Sequence, residues 1–222
     1  TFRRLDPERQ LAVIGALLDD AAEHGPGAVS VKRVADRAGV AVGSLYQYFP
    51  QREAMLSFAA ELAAGFLTGA LDGYRGALAG MPLREGLRAY LAGGVEWSRE
   101  HQALLRFFAR AAYHGEPAFL TSVVRPVATS MRGLVRALLQ AARDRGELRP
   151  DVELESAVRF VHATSIALGD AELLPHLDQY YLLFEGKAAR ARVREEFLDL
   201  VLRALAAPAA KGGGHGRRRA RG

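Results

Sequence analysis

Apolar residues recur three and four positions apart along almost the whole of this 222-residue chain, and the strict alternation of a half-buried strand is scarce. That period allows an all-α architecture and little else. The punctuation supports it. Asp6 is placed to cap a first helix, with Pro7 in its first turn and Glu8 beside its positive end; Leu11, Ile14, Leu17 and Leu18 form the expected buried stripe, and Gly25 marks the exit. A short second helix starts after Ser30 and runs to Ala38, where Gly39 ends it; a third spans Val42 to Tyr48, and Pro50 resets the chain. A long fourth helix runs from about Gln51 into the seventies. Further helices are expected from Pro82 to Arg99, Ala103 to His114, Pro126 to Arg145, Glu153 to Leu168 and Ala188 to Ala207, with Asp170 to Gly186 a loop holding a short helix. No internal repeat is visible.

Composition narrows the function classes. There is no cysteine, so neither disulfides nor thiolate metal sites contribute. No uninterrupted apolar run approaches the roughly 20 residues of a spanning helix, and the start lacks a signal-peptide core, so a soluble, cytoplasmic protein without a membrane partner is expected. The formal charge of +5 looks like a nucleic-acid signal. Its location weakens that reading: Lys211, Arg217, Arg218, Arg219 and Arg221 stand together at the end, and without them 25 bases face 25 acids. Local motifs must therefore carry the argument.

The informative stretch is Ser30 to Arg52, SVKRVADRAGVAVGSLYQYFPQR. Two short helices around a Gly-Val turn have helix-turn-helix proportions. Val34, Ala35, Ala38, Val40, Leu45 and Phe49 can face inward. That leaves Ser30, Lys32 and Arg33 at one helix start, and Val42, Gly43, Ser44, Gln47 and Tyr48 on accessible parts of the other. Hydroxyls, an amide and cations on one small helix pair are the groups that read base edges in a major groove.

The run RVADRAGVAVGSLYQYFPQREAML resembles the N-terminal DNA-binding domain of the tetracycline-repressor (TetR/AcrR) family, whose pattern joins A-x-x-AGV to G-[ST]-L-Y-x-[HY]-F and a basic residue three positions later. The resemblance covers about the first 60 residues. It implies a palindromic double-stranded DNA operator, a homodimer and a small-molecule effector, with no catalysis and no cofactor. It also implies a DNA contact from Lys32, base reading by Val42, Ser44 and Gln47, close backbone approach at Gly43, and phosphate contacts from Tyr46, Tyr48 and Arg52. Arg52 stands where the family usually has lysine, which keeps the charge but offers a fork instead of a point. Ala41 departs from the serine or threonine that commonly caps the recognition helix, a local loss of about 1 kcal/mol.

The division expected is a DNA-binding domain over 1–52, a helical ligand-binding and dimerisation domain over 53–207, and a disordered Gly/Arg tail over 208–222. A mostly apolar effector cavity is expected among Phe66, Trp97, His101, Phe107, Phe108, Tyr113, Phe119, Met131, Phe160 and His162. Val158, Val161 and Leu168 form one stripe, and Val193, Phe197, Val201 and Leu205 another, expected to close a four-helix dimer interface. Gly65, Gly69 and Gly73 weaken the long fourth helix, which is expected to pass motion between the domains. Two rivals stand beside this reading. One is a sequence-blind nucleic-acid binder driven by the arginine tail. The other is a metal-dependent helical enzyme built on His101, His114, His162 and His176, although no HExxH, G-x-S-x-G or phosphate loop occurs.

Overall fold

The computed structural model describes residues 2, 6–25, 28–114, 117–184 and 190–208, with backbone alone at 92–100, 102, 103, 110, 114, 118 and 173. Trp97 and the basic tail beyond 208 thus fall outside the described side chains and residues. The elements are α1 (Pro7–His24), α2 (Val31–Ala38), α3 (Val42–Tyr48), α4 (Arg52–Gly80), α5 (Leu83–Glu100), α6 (Gln102–His114), α7 (Pro117–Phe119), a π-helical turn (Leu120–Val124), α8 (Arg125–Asp144), α9 (Leu154–Leu173), α10 (Pro175–Tyr181) and α11 (Arg190–Leu205).

Most helix ends follow from local chemistry. Asp6 accepts the amide of Glu8 at 2.8 Å and opens α1. Glu153 opens α9 by accepting the amides of Glu155 and Ser156 at 2.8 and 2.7 Å. Gly39 takes the left-handed conformation, φ 67°, and the Val40 amide closes back onto the Ala35 carbonyl at 3.0 Å. An added Cβ there meets nothing within 4 Å, so any penalty is backbone strain alone. Gly39→Ala is expected to destabilise the turn by about 1 kcal/mol, read as a lowered urea midpoint at an unchanged m-value.

Three expectations need correction. Leu11 is 69% exposed, and the buried stripe of α1 instead runs through Val13, Ala16, Leu17, Asp20 and Ala21, with Ile14 and Leu18 half-buried beside it. The helix expected from Pro126 is present as α8 from Arg125, but it is not separate from what precedes it: the chain is already helical from Pro117. The π turn over 120–124 ends at the residue before Arg125–Pro126; the proline has no N–H to bond back to the preceding turn, and its ring would crowd a carbonyl of a regular α turn there. Finally, α9 runs on to Leu173, and Pro175 then opens α10 inside the expected loop.

Two apolar clusters hold the molecule together. The first joins α1–α3 (Val13, Leu17, Val34, Ala35, Leu45) to α4 (Met55, Ala59, Ala63, Leu67), α6 (Leu104, Phe107, Ala111), Phe119 and Val123. The second joins α5 (Leu83, Leu87), α8 (Val135, Leu138, Leu139), α9 (Val158, Val161) and α11 (Leu198, Val201, Leu205). Gly86 lets α5 approach this cluster, since a Cβ there would overlap the Leu138 side chain. Arg88 grips Glu195 through two bonds of 3.0 Å, and Arg84 reaches Asp199 at 2.8 Å, tying α5 to α11.

The long α4 spans about 43 Å and serves both ends of the molecule. It is the one described helix long and apolar enough to cross a membrane, with a mean hydropathy of 1.5 over its apolar window. One face of it is buried in the protein, from Met55, Leu56, Ala59 and Ala60 on one core to Leu78 near its end, while Leu62, Phe66 and Tyr74 are exposed. That end is clamped by Arg145, which donates to the carbonyls of Ala79 and Met81 at 2.9 and 2.6 Å. Added Cβ atoms at Gly65, Gly69 and Gly73 meet nothing within 4 Å, so packing does not require those glycines.

Candidate nucleic-acid interface

The reading head is built on a buried acid. Asp20 falls on the inward stripe of α1 and is completely buried. Its Oδ1 accepts Arg33 Nε at 2.6 Å, while Oδ2 accepts Arg33 Nη2 at 3.0 Å and the Ser30 amide at 2.9 Å. Arg33 also donates to the Ala28 carbonyl at 2.7 Å. Burial pushes the Asp20 carboxyl up, but the Arg33 and Ser30 hydrogen bonds outweigh it and hold the group below the ordinary carboxylate range. The start of α2 is therefore fixed to α1. Outside this knot, Arg37 pairs with Glu23 at 2.9 Å on the surface.

The far end of α3 is held by rings. Phe2 packs edge-on to Tyr48 and Phe58 at centroid distances of 6.1 and 5.2 Å and lies 5.0 Å from Phe49. Leu45 is buried beneath the helix. Ala41 supplies no side-chain cap, as its methyl requires. Held this way, α3 turns Gly43, Tyr46 and Gln47 outward, with Tyr46 50% exposed, and Lys32 is exposed on neighbouring α2. Ser44 is half-exposed on the same helix.

The other expected DNA contacts are partly engaged inside the protein. Arg33 is the staple just described and Ser30 caps α2, its hydroxyl accepting the Arg33 amide at 3.4 Å, so their polar groups organise the head instead of standing free on its surface. Arg52 donates to the Val29 carbonyl at 3.1 Å, which pins the start of α4 to the loop before α2. Val42 and Tyr48 are half-buried and pack against the first core cluster. Asp20 and Phe2 were missed by sequence reading. The signal for Asp20 was an acid on the apolar stripe of an amphipathic helix, a place an acid occupies only with partners.

Several of the expected effector residues are occupied by packing inside the protein. Phe107 and Phe119 are buried core, edge-on at 5.8 Å, and Phe108 and Met131 pack against the same cluster. Phe66 is exposed but stacks on His101 at 5.5 Å. Phe160 is 49% exposed on the outer side of α9. His162 has a buried Nδ1 without a hydrogen-bond partner; burial, then Arg132, pushes its pKa down. Tyr113 donates to Asp170 at 2.5 Å. Two open surface hollows, each about 410 Å³, lie around Arg149, Arg203 and Pro208 and around Pro82, Glu147 and Leu202. Among the described residues, no group of three or more His, Asp or Glu is placed to hold a metal.

The expected dimer stripes are also corrected. Val158, Val161, Leu168, Val193, Val201 and Leu205 are all buried within the protomer, and Phe197 is half-buried. They close the α5–α8–α9–α11 core because a single copy already covers that face.

Comparison with known proteins agrees with this geometry. Residues 18–57 match the model of bacterial regulatory proteins of the tetR family. The HTH-type transcriptional repressor KstR2 of Rhodococcus jostii is 28% identical over 189 residues, covering 84% of this chain and 86% of that one. KstR2 of Mycobacterium tuberculosis is 30% identical over 148 residues, covering 65% of this chain and 71% of that protein. The chain belongs to the tetR family. It is a transcriptional repressor with an N-terminal helix-turn-helix joined to a larger helical domain, and its relatives are transcriptional regulators. Its fold is similar to that of the transcriptional regulator FadR from Bacillus subtilis in complex with stearoyl-CoA: TM-score 0.65, 16% identity, 86% of this chain and 97% of that one.

Proposed function

We propose that this tetR-family protein represses transcription from the cytoplasm as a homodimer, without catalysis, each copy placing α3 in the major groove of one half of a palindromic operator. The observation that carries the reading is the outward face of α3, Gly43, Tyr46 and Gln47 beside Lys32, on a helix pair fixed to α1 through Asp20. Gln47 offers the bidentate amide that matches adenine, and Lys32 a phosphate contact. Two heads about 35 Å apart meet successive grooves on one face of the duplex. Gln47→Ala is expected to cost about 1–3 kcal/mol of operator binding and to relax preference at one position of each half-site. Lys32→Ala is expected to weaken all sequences alike and lower the salt slope by about 1 per head. Fluorescence anisotropy across a salt series separates the two, and equal effects on operator and random duplex from Gln47→Ala would remove α3 as the reader.

Dimerisation is assigned to the outward faces of α9 and α11. Phe160 and Leu200 stand 49% and 61% exposed there, with Ala163 exposed on α9 and Ala204 on α11. The division is a head over 1–52, a body over 53–207 and a basic tail. The first apolar cluster nevertheless crosses position 52, because α4 and α6 contribute to the same core as α1–α3. A small, largely apolar effector bound in the body acts on the head through those two helices; the apolar acyl chain of the stearoyl-CoA held by FadR, a protein of the same fold, supports an apolar ligand. Effector and operator then oppose each other by one coupling energy, about 1–3 kcal/mol, or roughly 5- to 150-fold in affinity.

A further inference from the structure

Side chains from the last turns of three helices meet at one place. The last turn of α6 carries Tyr113, that of α9 carries Asp170, and that of α10 carries Tyr181. Tyr113 donates its proton to Asp170 Oδ2 at 2.5 Å, and the hydroxyls of Tyr113 and Tyr181 lie 3.1 Å apart. A phenol has one proton, so Tyr181 must be the donor in the second bond. Asp170 is only 9% exposed. No Lys, Arg or His among the described residues forms an ion pair with it, whereas nearby Glu172 is paired with Arg194. Burial pushes the Asp170 carboxyl up, and the Tyr113 bond offsets this only in part.

A buried carboxylate is ordinarily matched by a cation. Here the surroundings add negative potential, because Asp170 lies in the last turn of α9, at the negative pole of that helix. The rings point the same way. Tyr113 is half-exposed, and Tyr181 packs edge-on at 5.4 Å against Tyr180, which is largely exposed. The faces of phenol rings attract alkylated ammonium ions. A divalent metal needs more oxygen ligands than one carboxylate and neutral phenols supply.

We propose that the junction of α6, α9 and α10 binds a small alkylammonium ion, Asp170 supplying the countercharge and Tyr113, Tyr180 and Tyr181 the ring faces. The site goes beyond operator recognition and is tested without DNA, so its failure would leave the repressor reading intact. Because α6 also packs into the core beneath the reading head, an occupant here touches a helix that the head shares.

The test uses the full chain at constant ionic strength. Choline is titrated by calorimetry against its uncharged isostere 3,3-dimethylbutan-1-ol. Saturable choline binding is expected, with the neutral alcohol weaker by about tenfold or more. The comparison on the unaltered protein requires no variant. Asp170→Asn keeps the shape and an acceptor for Tyr113 but removes the charge, and it is expected to reduce choline affinity by a similar factor. Tyr180→Ala, at an exposed position, should weaken choline while leaving the melting temperature unchanged. Absence of saturable binding, or equal affinity for choline and the alcohol, overturns the proposal; so does unchanged choline affinity in folded Asp170→Asn.

Discussion

Asp20→Ala is expected to lower the stability of the reading head by about 3 kcal/mol, because one partner of a buried ion pair is lost and Arg33 and the Ser30 amide are left without their acceptor. The Arg33 side chain is 43% exposed and recovers some solvation, which places the effect at the lower end for a buried pair. Chemical denaturation followed by circular dichroism reads it, and operator binding should fall with it although Asp20 itself faces away from DNA. The same knot predicts an acid limit. Asp20 titrates below its unfolded value of about 3.9. Its contribution is therefore fully present above that pH and is lost as pH falls through the lower folded value. Unfolding below about pH 4 should be blunted in Asp20→Asn, which has no such proton to take up.

The second large effect concerns assembly. Phe160→Asp together with Leu200→Asp is expected to convert the protein to a monomer, since like charges would face each other across a two-fold interface. Both residues are exposed in the protomer, so the double variant should fold with an unchanged melting profile. Sedimentation velocity reads the mass. Operator affinity should drop about 100-fold or more, as one α3 loses the second half-site tethered beside it. Val158→Asp, in contrast, should unfold the protomer, because that residue is buried among α5, α8 and α11. A dimer that survives the double change would place the interface elsewhere.

The head was legible in the sequence because local signals coincide there. Caps at Asp6 and Ser30, the left-handed glycine at 39 and the inward set Val34, Ala35, Leu45 and Phe49 all require the same arrangement. What was hidden was tertiary. Nothing local distinguishes Arg33 from Lys32, one residue apart on the same exposed turn, yet the first reaches back to Asp20 while the second stays exposed. The larger domain shows the same limit more severely. A stripe such as Val193, Val201 and Leu205 signals burial without saying whether its own chain or a second copy supplies the cover. The exposed residues proposed for the dimer contact, Phe160 and Leu200, lie off those stripes, where sequence periodicity gives no weight to them. Likewise Phe107 and Phe119 are aromatic because the core needs their volume.

The shared core also explains how an effector bound far from DNA can act on the head. Leu104, Phe107 and Ala111 of α6 pack in one cluster with Leu17 and Val34 of the head, and α4 continues from that cluster to the clamp at Arg145. A displacement of α6 or α4 therefore repacks the base of the reading unit, which is a physical route for coupling.

The central claim is that α3 reads an inverted repeat. Selection of bound duplexes from a randomised pool at moderate salt tests it most directly. The expected outcome is enrichment of two inverted half-sites whose centres lie about one helical turn apart, with specificity at one position of each half relaxed by Gln47→Ala. A pool that remains random, or an enriched motif that Gln47→Ala leaves unaltered, would contradict it.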